Sequence, residues 1–214
     1  MGSVQLRLGN PAVPPRIWAL FAVLVFLASG CGQQSKLPPL APNSVVLAFG
    51  DSLTYGTGAN EEESYPAQLA KLTGWRVVRE GVPGEVSATG LARLAATLDE
   101  HQPRLLLLCH GGNDFLGRLP KDKVAENLRA MIRLAKTRGI DVVLIGTPEP
   151  GLTVTAAGFY ADIAKEFRIP YEGSVLGKIL RDPSLKSDAI HPNARGYRLM
   201  AERIYELVRK AGAL

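Results

Sequence analysis

The chain of 214 residues is poor in cysteine and histidine, with only Cys31, Cys109 and three histidines. That scarcity excludes a disulfide framework and supplies no cluster at metal-ligand spacing, so neither a metal nor any other cofactor is expected. Apolar runs are short as well. The longest near the N-terminus, Ile17 to Ala28, falls below the roughly 20 residues that a membrane-spanning helix needs. Two familiar loop motifs are missing. Thr54 stands where the second glycine of a G-x-S-x-G nucleophile elbow belongs. The Gly56-Thr57-Gly58 stretch has Glu61 in place of a third glycine and no following G-K-[ST], which argues against a nucleotide-phosphate loop. A formal net charge of +5 is too mild to imply a nucleic-acid partner.

What is present is a composition, 46% hydrophobic and 21% charged, suited to one globular domain with a substantial core. The first thirty residues stand apart. Arg7 and Arg16 precede the apolar stretch, which ends in Ala28-Ser29-Gly30 before Cys31, the layout of a secretory signal. Leu27-Ala28-Ser29-Gly30-Cys31 resembles a bacterial lipobox, in which cleavage exposes the cysteine for diacylglycerol transfer; Ala28 departs from the leucine that the strict pattern prefers. The expectation is a signal over 1–30, lipidation at Cys31, and an exported protein on a membrane facing periplasm or cell exterior. Gly32 after the cysteine favours the outer membrane where two exist. Plain secretion is the alternative. Residues 31–43, with Pro38, Pro39 and Pro42, read as a proline-stiffened tether, and 44–214 as the folded domain.

Within 44–214, short apolar runs at Val45–Phe49, Arg76–Val78, Leu105–Cys109 and Val142–Ile145, with a fifth at Ile169–Tyr171, read as buried parallel strands. Helical periodicity covers 65–72, 91–101, 123–138, 156–167 and 194–210. Val124, Leu128, Met131, Ile132 and Ala135 form one stripe of the third helix. Alternating strand and helix predicts a three-layer α/β/α sandwich around a flavodoxin-like, five-stranded parallel sheet with right-handed crossovers. In such folds the loops at the carboxyl ends of the strands line the ligand crevice.

Four segments belong on that rim: Gly50-Asp51-Ser52-Leu53 after the first strand, Gly81 to Gly84 after the second, His110-Gly111-Gly112-Asn113-Asp114 after the third, and Ser187-Asp188-Ala189-Ile190-His191-Pro192-Asn193 before the last helix. Together they hold a serine hydroxyl, an imidazole, carboxylates, glycine amides and an asparagine amide, the components of acyl transfer. A serine hydroxyl is a weak nucleophile until a neutral imidazole takes its proton, and a carboxylate fixes the tautomer that does so. Each fragment alone has a plainer reading as a turn or a helix cap.

The set in this order resembles the GDSL esterases, or SGNH hydrolases, over about residues 44–212. The character of Gly81–Leu94, Cys109–Leu116 and Ser187–Tyr197 is similar to the bacterial arylesterase and acyl-CoA thioesterase/lysophospholipase branch. The resemblance implies Ser52 as nucleophile, His191 as general base, Asp188 as its orienting carboxylate, and an oxyanion hole from the Ser52 and Gly84 amides and the Asn113 side chain. It implies a small-molecule ester as substrate, with a lysophospholipase or a sugar O-acetyl esterase as alternatives on the same scaffold, and a ligand-binding lipoprotein as the alternative outside enzymology. Asp51 reads as a structural neighbour, His110 as a rim or core residue, His101 as a surface residue at a helix C-terminus, and Cys109 as a buried inert thiol. Pro148, Pro150, Leu152 and Val154, with Phe115 and Leu116, are expected to border an apolar channel.

Overall fold

The computed structural model describes residue 2, residues 35–150 and residues 154–214. The signal expected over 1–30 and the lipidation site at Cys31 lie outside the described residues, as does Leu152. Five strands, β1 (Val45–Gly50), β2 (Arg76–Gly81), β3 (Leu105–Cys109), β4 (Asp141–Ile145) and β5 (Tyr171–Glu172), form one sheet in the order β2-β1-β3-β4-β5. Every pairing is parallel. The chain runs outward from β1 to one edge and then returns to β3. The carboxyl ends of β1 and β3 therefore flank the point at which the winding reverses, where a crevice opens.

Among the described residues the helices are α1 (Ser52–Tyr55), α2 (Tyr65–Thr73), α3 (Ser87–His101), α4 (Gly112–Leu116), α5 (Lys121–Thr137), α6 (Gly158–Phe167), α7 (Val175–Arg181) and α8 (Ala194–Ala211). Strand side chains alternate between two apolar layers, as the pleat requires. Val46, Ala48, Leu105 and Leu107 pack with Leu69 of α2 and with Tyr197, Met200, Ile204 and Val208 of α8. Leu47, Phe49, Leu106 and Leu108 pack on the other face with Leu94 of α3, Leu128 and Ile132 of α5, and Ile163 of α6. The predicted sandwich is thus observed.

Four local expectations change. Helix α3 starts at Ser87 rather than Leu91, because the Ser87 amide and hydroxyl both donate to the buried Asp114 carboxylate, at 2.8 and 2.7 Å, and anchor an extra turn. Helices α1, α4 and α7 add to those that the sequence predicts, being too short to display an apolar period. Strand β5 begins at Tyr171; Pro170 accepts from the Leu144 amide but has no N–H to return to the ladder. Finally, residues 35–43 are no free tether. The Leu37 side chain joins the core beside α8, the Leu37 and Leu40 amides donate to Ala211 and Ala213 carbonyls at 2.8 and 2.9 Å, and the Asn43 amide donates to Gly74 at 3.0 Å. Pro38, Pro39 and Pro42 have no amide hydrogen to give, so the leucines and Asn43 carry the anchoring.

Candidate active site

Ser52 opens the first turn of α1, and its neighbour Asp51 is the N-cap. Asp51 Oδ1 accepts from the Leu53 amide at 3.0 Å, which fixes where the turn begins. Burial pushes the Asp51 carboxyl upward in pKa, against the opposing pull of His110 and the Leu53 amide. Asp51 holds the loop and makes no hydrogen bond to either His191 or the Ser52 hydroxyl, in keeping with its structural reading.

The segment 187–193 is a turn folded around one carboxylate. Asp188 Oδ1 accepts from the amides of Ile190 and His191, each at 2.8 Å, while Oδ2 faces His191 Nδ1 at 2.8 Å. Burial acts to raise the Asp188 pKa, but the two amides and the imidazole outweigh it and hold the carboxyl below its ordinary range. The carboxylate places the imidazole proton on Nδ1, and His191 Nε2, left bare, accepts from Ser52 Oγ at 3.0 Å. Immediately after, Asn193 caps α8, accepting from the amides of Arg195 and Gly196 at 3.0 and 3.1 Å. The turn is therefore tied to the longest described helix, and Ser52, His191 and Asp188 form a continuous hydrogen-bonded chain across 139 positions of sequence.

Asn113 lies on α4, at the carboxyl end of β3, with its side-chain Nδ2 donating to the Glu85 carbonyl at 3.0 Å. Gly84 sits in the turn after β2 with φ of 80°, in the left-handed region where glycine is favoured, and a Cβ there would face open space. The constraint at Gly84 is backbone conformation, not crowding.

A cleft of about 300 Å³ opens beside Ser52 and His191. Leu53, Leu116, Pro148, Val154, Leu180 and Ile190 are among its apolar lining, and Asp51, Asn113, Thr147, Glu149 and Lys186 are polar residues that also line it. The expected contribution of the loop after β4 is thus observed at Pro148, Pro150 and Val154. Phe115 is a correction: it turns into the core against Phe159 and Tyr160, at ring-centroid separations of 6.1 and 6.4 Å, leaving Leu116 to line the cleft. His101 also departs from a plain surface residue, pairing with Glu80 at 3.2 Å. Cys109 is a buried free thiol whose pKa burial pushes well upward.

The sequence reading missed a cluster behind the rim, made of Glu85, Arg93 and His110. Arg93 donates from Nε and Nη2 to the two Glu85 carboxylate oxygens at 2.8 Å each, and His110 Nε2 lies 3.1 Å from Glu85 Oε2. Burial works against ionising Glu85, yet His110 and Arg93 together hold its pKa down at about 2. A signal existed in the sequence. Arg93 falls on the stripe Gly90, Leu94 and Thr97 that α3 turns inward, and a charge at an inward position needs a buried partner.

The geometry has counterparts among known proteins. Residues 48–199 match the sequence model of the GDSL-like Lipase/Acylhydrolase family. Esterase TesA of Pseudomonas aeruginosa is 34% identical over 129 residues, which span 58% of this chain and 64% of that protein. The arylesterase of Vibrio mimicus is 30% identical over 202 residues, 89% of this chain and 97% of that protein. The crystal structure of TesA superposes with a TM-score of 0.71 at 25% identity, over 78% of this chain and 99% of the other.

Proposed function

The chain belongs to the GDSL-like lipase/acylhydrolase family of ester hydrolases, and we propose that it cleaves small carboxylic esters through an acyl-enzyme formed on Ser52. The carrying observation is the relay from Ser52 Oγ to His191 Nε2 at 3.0 Å and from His191 Nδ1 to Asp188 at 2.8 Å. In this reading Ser52 Oγ attacks the ester carbonyl as His191 Nε2 takes its proton, and Asp188 stabilises the imidazolium. The tetrahedral oxyanion accepts from the Ser52 and Gly84 amides and from Asn113 Nδ2. Each such donor contributes about 100-fold to 1000-fold in turnover. Collapse breaks the bond to the leaving alkoxide, which takes the proton from His191. Water then attacks the acyl carbon by the same route in reverse and frees the acid.

The predominantly apolar lining of the cleft favours aryl esters and short to medium acyl esters, thioesters among them, over acetylated sugars, whose burial would desolvate hydroxyls against that lining. A lysophospholipid is the second reading, supported by Lys186 at the cleft margin, a point charge suited to a phosphate. A lipoprotein that merely binds ligand has no use for the full relay. The N-terminal expectation belongs to the same proposal: a lipoprotein-type signal over 1–30, acylation of Cys31 and display outside the cytoplasm. Acyl chains contribute about 0.8 kcal/mol per buried methylene, so two or more hold a protein of this size on a membrane without a spanning helix.

The test is Ser52→Ala assayed on a chromogenic aryl ester beside acyl-CoA, lysophospholipid and acetyl-xylan. Turnover of every cleaved substrate falls to background if Ser52 is the nucleophile, and equal rates in variant and wild type overturn the assignment. Faster cleavage of acetyl-xylan than of aryl or acyl esters overturns the substrate class. For the anchor, cells fed labelled palmitate incorporate it into the wild-type chain and lose that signal in Cys31→Ser; label retained in the variant refutes lipidation at this residue.

A further inference from the structure

The three donors assigned to the oxyanion hole sit just beyond the ends of three different strands. Ser52 follows β1, Gly84 follows β2 and Asn113 follows β3. Turns of this kind need something to fix their separations, because a misplacement of about 1 Å at a reacting centre can cost about 100-fold in rate. The Glu85 cluster reaches all three strand ends. Besides its paired bonds to Glu85, Arg93 Nη2 donates to the Glu80 carbonyl at 3.1 Å and the Gly50 carbonyl at 3.3 Å, and the guanidinium lies 4.0 Å over the Phe49 ring. His110 brings in the third strand, three residues before Asn113. The Glu85 carbonyl takes one of the two hydrogens of Asn113 Nδ2, leaving the second for the oxyanion.

We propose that Glu85 is the positioning residue of the oxyanion hole, with its carboxylate clamping the ends of β1, β2 and β3 through Arg93 and His110 and its carbonyl aiming the Asn113 amide. The inference rests on the oxyanion roles assigned to Gly84 and Asn113. Two further features fit a clamp better than a simple stabilising contact. Exchanging a whole buried ion pair for well-packed apolar side chains is often neutral in stability, although losing one partner alone is costly, so what the pair adds over an apolar cluster is direction. His110, fully buried, has no partner for Nδ1 among the described residues while Nε2 engages Glu85, so the ring is oriented toward that one bond. Helix α3 makes room for the ring with Gly90, since any Cβ there would strike the imidazole.

The experiment compares Glu85→Gln, Asn113→Ala and the double variant, with kcat expressed per site titrated by a p-nitrophenyl phosphonate so that misfolded molecules do not count. Glu85→Gln keeps the shape and loses the charge. It is expected to lower kcat about 10-fold to 100-fold with KM changed less than about threefold, and to weaken a trifluoromethyl ketone, whose hemiketal oxygen occupies the hole, by a similar factor. In the Asn113→Ala background the same change costs markedly less, since the two act through one group. If Asn113→Ala lowers kcat about 100-fold while Glu85→Gln stays within about twofold of the wild type, the clamp is refuted and the oxyanion hole stands. If Asn113→Ala itself leaves kcat unchanged, the underlying assignment of Asn113 fails instead. Should Glu85→Gln yield no titratable sites, His110→Leu and His110→Gln take its place. Loss of kcat in the leucine variant with recovery in the glutamine variant, which keeps a donor, supports the clamp, and unchanged kcat in both overturns it.

Discussion

Replacing Asp188 with asparagine leaves the turn nearly intact and removes one capability. The carbonyl oxygen of the new side chain can still accept from the Ile190 and His191 amides, which the aspartate now holds at 2.8 Å. Its amide nitrogen, however, takes the place of Oδ2 opposite His191 Nδ1, a donor facing a donor. The ring answers by carrying its proton on Nε2, where it points at Ser52 Oγ and can no longer accept from it. In the protease template of this substitution the carboxylate is buried and the loss is about 10,000-fold. Here the Asp188 side chain is 52% exposed, so water weakens its attraction for the imidazolium. Unit charges about 4 Å apart interact by about 1 kcal/mol in bulk water and about 4 kcal/mol near a protein surface. The half-exposed pair falls between, which translates to about 10-fold to 1000-fold in kcat at about 1.4 kcal/mol per decade. Initial rates on p-nitrophenyl butyrate at neutral pH, with circular dichroism to verify folding, measure it. A folded Asp188→Asn enzyme within about twofold of the wild type would refute the tautomer argument.

Two further outcomes follow from buried contacts. Glu85 has a folded-state pKa of about 2 against an ordinary 4.5, so its contribution to stability is complete above about pH 4.5 and lost as the pH falls toward 2. With the side chain 3% exposed, the difference amounts to about 3 kcal/mol; acid unfolding followed by circular dichroism should be shallower over that window in Glu85→Gln, and coincident acid limbs would contradict the linkage. Leu37→Ala, by emptying a site against α8, is expected to cost about 2 to 5 kcal/mol in urea denaturation of the domain from residue 35 onward, whereas a free tether would give no change.

How much of this was legible in the chain varies with the range of the interaction. Strands β1, β3 and β4 announced themselves as continuous buried runs and the amphipathic helices by their period. Strand β2, expected as a buried strand over Arg76–Val78, is instead a part-exposed edge strand that continues through the polar Arg79 and Glu80 to Gly81, since an edge strand has a neighbour on one side only. Val124, Leu128, Met131, Ile132 and Ala135 all lie buried in α5, as their spacing predicted. That Asp188 and His191 could face one crevice was legible from their spacing of three, and their roles were what the resemblance to the GDSL esterases implied. Signals failed where the partner is distant. The start of α3 at Ser87 depends on Asp114, and the inward turn of Phe115 depends on the rings of Phe159 and Tyr160. Prolines at 38, 39 and 42 have the look of a linker, and only the carbonyls at the end of α8 make residues 35–43 part of the domain.

The residue types needed for acyl transfer, and their assignment to loops at the strand ends, were determined by sequence alone, because a short apolar run and the turn that follows it are local; the role of each residue came from the resemblance that the order of the motifs carries. The tertiary structure decided which atoms meet: the 3.0 Å approach of His191 to Ser52, the apolar wall beside them, and the union of Glu85, Arg93 and His110. Those contacts join segments between 8 and 139 residues apart, and no local pattern records a distance that only the closure of the sheet and its helices sets.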